Sequence, residues 1–235
     1  MMTLGINRRV ALQAIGRSGL GLVLVPGILA ARTGQKEETE KEVAPAEDLM
    51  REHGLLNRIL LIYEESGRRL SAPKPDMNIG LLKESAGIIK SFIEEYHEKL
   101  EEDHLFPRFK KAGKLVDLVD VLDKQHEAGR SVTKRILQLA EESALKDASK
   151  REEIVAAIHS FIRMYRPHEA REDTILFPAL HDIVSAHEYA AMGEDFEKKE
   201  HDLFGEDGFE KMVDKVAGIE KSLGIYDLAK FTPKS

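Results

Sequence analysis

One pattern is written twice in this chain, as "HEKLEEDHLFPRF" at 97–109 and "HEAREDTILFPAL" at 168–180. Each copy reads His, three residues, Glu, an acidic residue, two more, then Leu-Phe-Pro. On a helix, residues i and i+4 lie on one face a turn apart, so His97 with Glu101, and His168 with Glu172, aim an imidazole and a carboxylate at a common point. The echo extends upstream. "LMREH" ending at His53 and "LDKQH" ending at His126 are 73 residues apart, whereas the His-x-x-x-Glu pairs are 71 apart. The repeated unit is therefore a helical hairpin with one His on its first helix and His-x-x-x-Glu on its second. Six such groups converging inside a protein are costly: an unpartnered buried carboxylate costs several kcal/mol, or takes up a proton. A cation removes that cost. Four imidazoles (His53, His97, His126, His168) and two carboxylates (Glu101, Glu172) suit two first-row transition ions, each with two His and both Glu bridging. Positions then stay open for an oxo or hydroxo bridge and an external ligand. The chain has no cysteine, so disulfides and thiolate metal sites are excluded, and imidazole plus carboxylate suits iron, manganese or zinc.

The elements that must carry these groups read as helices almost throughout from Pro45 onward. In the first, Leu49, His53, Leu56, Leu60 and Tyr63 alternate at spacings of four and three, the seam of a bundle helix. A loop, "SGRRLSAPKPDMN", follows. A second helix from about Ile79 turns Leu82, Ala86, Ile89, Ile93 and His97 inward, and Pro107 and Gly113 are expected to end it. A third, from near Lys114, carries Leu115, Leu122, His126, Thr133, Ile136 and Ala140 in register. The fourth opens on a capping-box pairing of Ser149 with Glu152. Its seam is Ile154, Ile158, Phe161, Tyr165, His168 and Glu172, with Pro167 expected to kink it. Four amphipathic helices with short connections predict an all-α, up-down-up-down four-helix bundle over 45–182, built from two hairpins. Residues 183–235 form a C-terminal helical extension. Its two stretches meet at Gly205, and Phe196, Leu203, Phe204, Phe209, Met212 and Val216 are expected to cover the bundle.

Outside that pattern, the formal charge of -7 argues against nucleic acid as a partner, since phosphate binding needs a basic stripe. Residues 1–31 place Arg8, Arg9 and Arg17 ahead of an apolar, glycine-containing run. This reads as a twin-arginine-like signal peptide or an N-terminal anchor, and 32–44 as a flexible linker. The expectation is export to the periplasm of a mature protein that does not span the membrane. The alternative is retention by the N-terminal segment.

The ordered set His53, His97-x-x-x-Glu101, His126, His168-x-x-x-Glu172, with both "LFP" endings, resembles the hemerythrin-like (HHE) cation-binding domain over about 46–180. That resemblance implies a non-haem di-iron site in a four-helix bundle, with the four histidines as terminal ligands and Glu101 and Glu172 as bridges. Ferritin-like sites, with Glu-x-x-His at i, i+3, fit less well. Two features depart from the oxygen carriers of the family. Leu122 stands where they have a further His, and they bridge from i+5, where this chain has Asp173. The set is more similar to that of bacterial iron-centre repair proteins, but those carry an additional N-terminal cysteine-containing domain, and this sequence has no cysteine. The resemblance implies binding or sensing of O₂ or NO. The alternative is an enzyme reducing NO, peroxide or O₂, or one acting in iron-centre repair. Among the remaining candidates, His104 could touch the mouth of the site, and Tyr165 could donate a hydrogen bond near an open metal position. His159, His181, His187 and His201 read as structural or surface positions.

Overall fold

A computed structural model describes residues 44–233; the signal and linker segments expected at 1–44 lie almost wholly outside them. The described residues are helical, without strands. α1 spans Pro45–Leu70 and α2 Ile79–Ile88. A π-helical stretch, Ile89–His97, continues α2, followed by α3 (Glu98–Leu100), a second π turn (Glu101–Leu105) and α4 (Phe106–Ala112). After α5 (Val116–Leu139) comes α6 (Ala148–Arg171), then a π turn at Glu172–Leu176 and α7 (Phe177–Leu180). α8 (Ala186–Phe204) and α9 (Gly208–Leu223) complete the set. α1 packs on α6 and on the α2–π segment, and α5 does the same from its own side. α9 lies against α1 and α2, and α8 against α1.

Several boundaries differ from the sequence reading for local reasons. The "SGRRL" stretch stays in α1, because Glu65 pairs with Arg68 and Arg69 at i+3 and i+4 and Arg69 also donates to the Leu223 carbonyl. The fourth long helix begins two residues earlier than Ser149 and Glu152 suggest: Asp147 is the cap, accepting from the Lys150 amide at 3.2 Å. α5 starts at Val116 because Leu115 adopts a left-handed conformation, φ 54°. Pro107 does not end its helix, which runs on to Ala112 and stops at Gly113 with φ 64°. Both "LFP" prolines instead occupy the first turn of a short helix that follows a π turn. Proline offers no amide and its ring crowds the carbonyl four residues back, so a widened turn just ahead of it lets the helix continue. Pro167 likewise lies inside α6, which continues through it to Arg171.

The seam residues named for all four long helices are buried, apart from Leu115, which is half-buried. Each buried Leu, Ile or Phe contributes about 1.5–3 kcal/mol relative to exposure, so this apolar material supports the charged centre among it. Phe196, Met212 and Val216 are buried beneath the C-terminal hairpin as expected, with Phe204 and Phe209 packed beside Phe92; Leu203 is 53% exposed and is not part of the cover. One close approach is demanding. A Cβ on Gly129 of α5 would lie 2.0 Å from the Tyr165 hydroxyl of α6, so the helices meet there only because Gly129 has no side chain. Ala in place of Gly inside a helix normally stabilises by roughly 0.5–1 kcal/mol. At this position we expect Gly129→Ala to destabilise by about 1–3 kcal/mol through overpacking. A denaturant midpoint equal to or above that of the wild type would contradict the close packing.

Candidate metal centre

All six residues singled out by the repeat meet in one buried cluster. Nε2 of His97 and Nε2 of His53 are 3.1 Å apart, and the rings of His126 and His168 face each other with centroids 5.0 Å apart. The carboxylates lie between these two pairs. Glu101 places Oε1 3.9 Å from His97 Nε2 and Oε2 3.3 Å from His126 Nε2. Glu172 places Oε1 3.1 Å from His168 Nε2 and Oε2 3.4 Å from His53 Nε2. Each carboxylate thus reaches one histidine of each pair, and the arrangement has the twofold character of the repeated sequence. None of the approaches between carboxylate and Nε2 has hydrogen-bond geometry. All four carboxylate oxygens, and Nε2 of His126, are buried without a hydrogen-bond partner. Orphans of this kind are rare in folded proteins and call for an unplaced partner.

The outward nitrogens show which way the rings are set. His53 Nδ1 donates to Asp173 Oδ1 at 2.7 Å, and His97 Nδ1 to Glu52 Oε2 at 2.7 Å. His126 Nδ1 donates to Glu102 Oε1 at 3.1 Å, and His168 Nδ1 to Gln125 Oε1 at 2.9 Å. Every acceptor is a carboxylate or amide oxygen, so the proton belongs on Nδ1 and the Nε2 lone pair faces the cluster. Metal-ligating histidines are held in this way. Sequence reasoning missed these four supports, although a signal was present. Glu52 and Gln125 immediately precede the first His of each unit, and Glu102 and Asp173 immediately follow its Glu. Asp173, weighed from sequence as an alternative bridge, therefore stands behind His53, while Glu172 sits inside the cluster.

A third repeated pair lies further out. Glu98 and Glu169 each follow the second His of their unit; Glu98 pairs with Arg130 at 2.8 Å, and Glu169 accepts from Asn57. Tyr165 donates to Glu98 Oε1 at 2.6 Å, so its hydroxyl is turned away from the cluster. His104 packs on Phe196 and stays outside it, and His159, His181, His187 and His201 are exposed.

Electrostatics point to the same need for a cation. Burial, and then the neighbouring Glu172, hold the Glu101 carboxyl well above its usual range. Burial also opposes charge on Glu172, but His168 and His53 outweigh it and hold that carboxyl low. Burial disfavours charge on His53 too, yet its bond to Asp173 and the nearby Glu172 carboxylate push it up to about 10. Burial lowers His97 well below its ordinary value, with His53 adding to the effect, and burial lowers His126. Protein groups alone can balance this cluster only by placing protons on some members and withholding them from others.

The residues fit a pair of cations. Two nitrogens bound side by side at 2.0–2.1 Å on one ion are about 3 Å apart, close to the 3.1 Å between the His53 and His97 nitrogens. The donors are imidazole and carboxylate, without sulfur, which suits iron, manganese or zinc. We expect Glu172→Gln to lose bound metal, because it removes an anionic donor facing both histidine pairs. We expect Asp173→Asn to retain metal with about 10–100-fold weaker affinity, the usual effect of disturbing a ligand's support. Metal analysis after dialysis against graded chelator separates the two. A reversed order of severity would make Asp173 the inner ligand.

Comparison with known proteins agrees with this geometry. Residues 44–180 match the family described as hemerythrin HHE cation binding domain. Uncharacterized proteins of Mycobacterium bovis and of two Mycobacterium tuberculosis strains are 53% identical to the chain over 200 residues, covering 83% of this chain and 76% of theirs. No solved structure matches it significantly. With four histidines and two glutamates drawn together by its repeat, the chain belongs to the hemerythrin HHE cation-binding domain family.

Proposed function

We propose that this protein is a non-haem di-iron protein that binds or senses O₂ or NO. One observation carries the reading: two buried carboxylates each span two pairs of histidines, and none of the four carboxylate oxygens has a hydrogen-bond partner. His53 and His97 would hold one ion, His126 and His168 the other, and Glu101 and Glu172 would bridge them. That provides four protein donors per ion, fewer than the six positions of an octahedral iron, so an external ligand and an oxo or hydroxo bridge have room. Two iron ions would supply reversible redox chemistry and open positions for a diatomic ligand. The protein's own groups orient the imidazoles through Nδ1, exclude bulk water with the apolar residues around the cluster, and neutralise the ions with Glu101 and Glu172. Phe177 stacks on His53 and Phe106 on His126, centroids 5.5 and 5.4 Å away. These rings make the surroundings apolar, which favours an uncharged gas over a charged ligand.

The frame for this centre is an up-down-up-down four-helix bundle over 45–182 with a C-terminal extension. The contacts of α1 and α5 with α6 and with the α2–π segment support that topology. Adding O₂, then NO, to the reduced protein and following its absorption tests the function. We expect about two irons per chain and a spectral change that reverses when the gas is removed. Catalytic consumption of the gas would assign the protein to the enzyme class instead. Absence of any response would reject both readings.

Export is a second part of the proposal, supported by the Arg8-Arg9 pair and the apolar run that follows it. No helix among the described residues is long and apolar enough to cross a membrane. A fusion of residues 1–44 to a reporter should appear in the periplasm. A wholly cytoplasmic reporter would refute export, and a membrane-bound one would indicate an anchor.

A further inference from the structure

Away from the metal cluster, a cleft runs between the last two turns of α1 and α6. Its larger lobe has a volume of about 690 Å³. Gly67 and Ile162, both buried, form the floor. Arg68, His159, Arg163 and Arg166 line the lobe alongside one carboxylate, Glu64. A smaller lobe of about 360 Å³ shares Ser71 and His159 with it. Leu70, Val155 and Ala156 give that lobe aliphatic walls, with Arg151 and Glu152 as its charged groups. Both volumes fall within the roughly 300–1,000 Å³ of small-molecule sites.

Charge distinguishes the larger lobe. Glu65 is shared between Arg68 and Arg69, and Glu64 pairs with Arg166 at 2.5 Å. Arg163 is exposed and has no acidic partner among the described residues. Four guanidiniums are thus gathered with two carboxylates, a local positive excess on a chain whose net charge is -7. In the smaller lobe Arg151 is held by the Leu145 carbonyl at 2.8 Å rather than by a carboxylate. The repeat provides an internal control. At its offsets of 71 and 73, Arg163, Arg166, Arg151 and Arg68 correspond to Phe92, Glu95, Gly80 and Glu141. The hairpins therefore pack without guanidiniums at these positions, and stability of the scaffold does not explain them. Gly67 keeps the lobe open. A Cβ there would lie 3.7 Å from Ile158 Cγ2 and 3.9 Å from His159 Nε2, so a side chain starts without a clash and a long one would occupy the cleft.

We propose that this cleft binds a phosphorylated organic molecule of nucleotide size. Its phosphates lie among Arg68, Arg163 and Arg166, and its less polar part in the lobe of Leu70, Val155 and Ala156. A guanidinium fork matches two phosphate oxygens at once, and several forks around one lobe suit a ligand with several negative charges. His159, where the two lobes meet, offers a flat ring on which an organic ring can stack. None of these residues is among the six of the metal cluster, so the site does not depend on the di-iron reading.

The test is calorimetric titration of the full chain with ATP, tripolyphosphate and adenosine, without added magnesium. We expect one ATP per chain, competition from tripolyphosphate at lower affinity, and no measurable binding of adenosine. Arg163→Gln should weaken ATP about tenfold, the effect of one lost charge-assisted bond. Gly67→Met leaves every charge in place, fills the floor and favours the helix; it should weaken ATP at least as much. Diffuse attraction to surface arginines would survive that variant, so ATP binding retained by folded Gly67→Met overturns the proposal. Unchanged affinity in Arg163→Gln overturns it too, as does a wild type that binds no ATP. Arg163 is exposed and without an acidic partner, so its variant should fold and decides alone should Gly67→Met fail to fold. Equal affinity for tripolyphosphate and ATP overturns the organic part and leaves an inorganic oligophosphate as the ligand. Glu101→Gln/Glu172→Gln, altered only at the metal cluster, should bind ATP as the wild type does. Loss of binding there would place the phosphates at the cluster and overturn the cleft.

Discussion

Everything else in this protein is arranged around the cost of burying Glu101 and Glu172. Both carboxylates have no exposed surface, and they face four imidazole nitrogens across distances of 3.1 to 3.9 Å. Left to themselves, two such anions cannot both remain ionised, and the burial that holds Glu101 high while the histidines hold Glu172 low expresses that conflict. A bound cation would resolve it, turning mutual repulsion into shared ligation. The long apolar seams of α1, α2, α5 and α6 are what keep the cluster away from water, so that the choice is between a metal and a proton.

The supports behind the imidazoles follow from the same constraint. A histidine free to rotate would turn its lone pair towards any nearby donor, and the four Nδ1 bonds prevent this. They also interlock the two halves. Glu52 and Gln125 each hold the second His of their own hairpin, whereas Glu102 and Asp173 each hold the first His of the other. Neither hairpin can therefore assemble a complete half-site alone. The symmetry is imperfect. The His53–His97 pair rests on two carboxylates and the His126–His168 pair on one carboxylate and one amide, so the two positions differ in the basicity of their ligands.

The π turns give the repeat its geometry. Glu101 and Glu172 are each the first residue of a π turn, and each turn runs into Leu-Phe-Pro. The echoed proline thus belongs to the metal centre as much as the histidines do, because it accompanies the widened turn through which the ligand-bearing helix continues. π turns recur at functional sites for this reason: a local change in winding re-aims side chains.

The six residues of the cluster were legible in the sequence because duplication removes chance: one His-x-x-x-Glu is ordinary, but two at a fixed offset, each preceded by a matching His, are not. The all-helical class was equally legible, since 3.6-residue periodicity is a local property. Helix ends were less so. Asp147 rather than Ser149 caps α6, and Arg68 and Arg69 extend α1, because competing local hydrogen bonds decide ends within a turn or two. What the sequence by itself determined is which residues could act as ligands, since type and spacing are written in it. What only the tertiary structure decided is which partner each group meets across helices. Asp173 stands behind His53 from 120 residues away, Tyr165 turns its hydroxyl to Glu98, and Arg166 reaches Glu64. Such pairings depend on how helices rotate and pack against each other, and no spacing along one helix records the face of another.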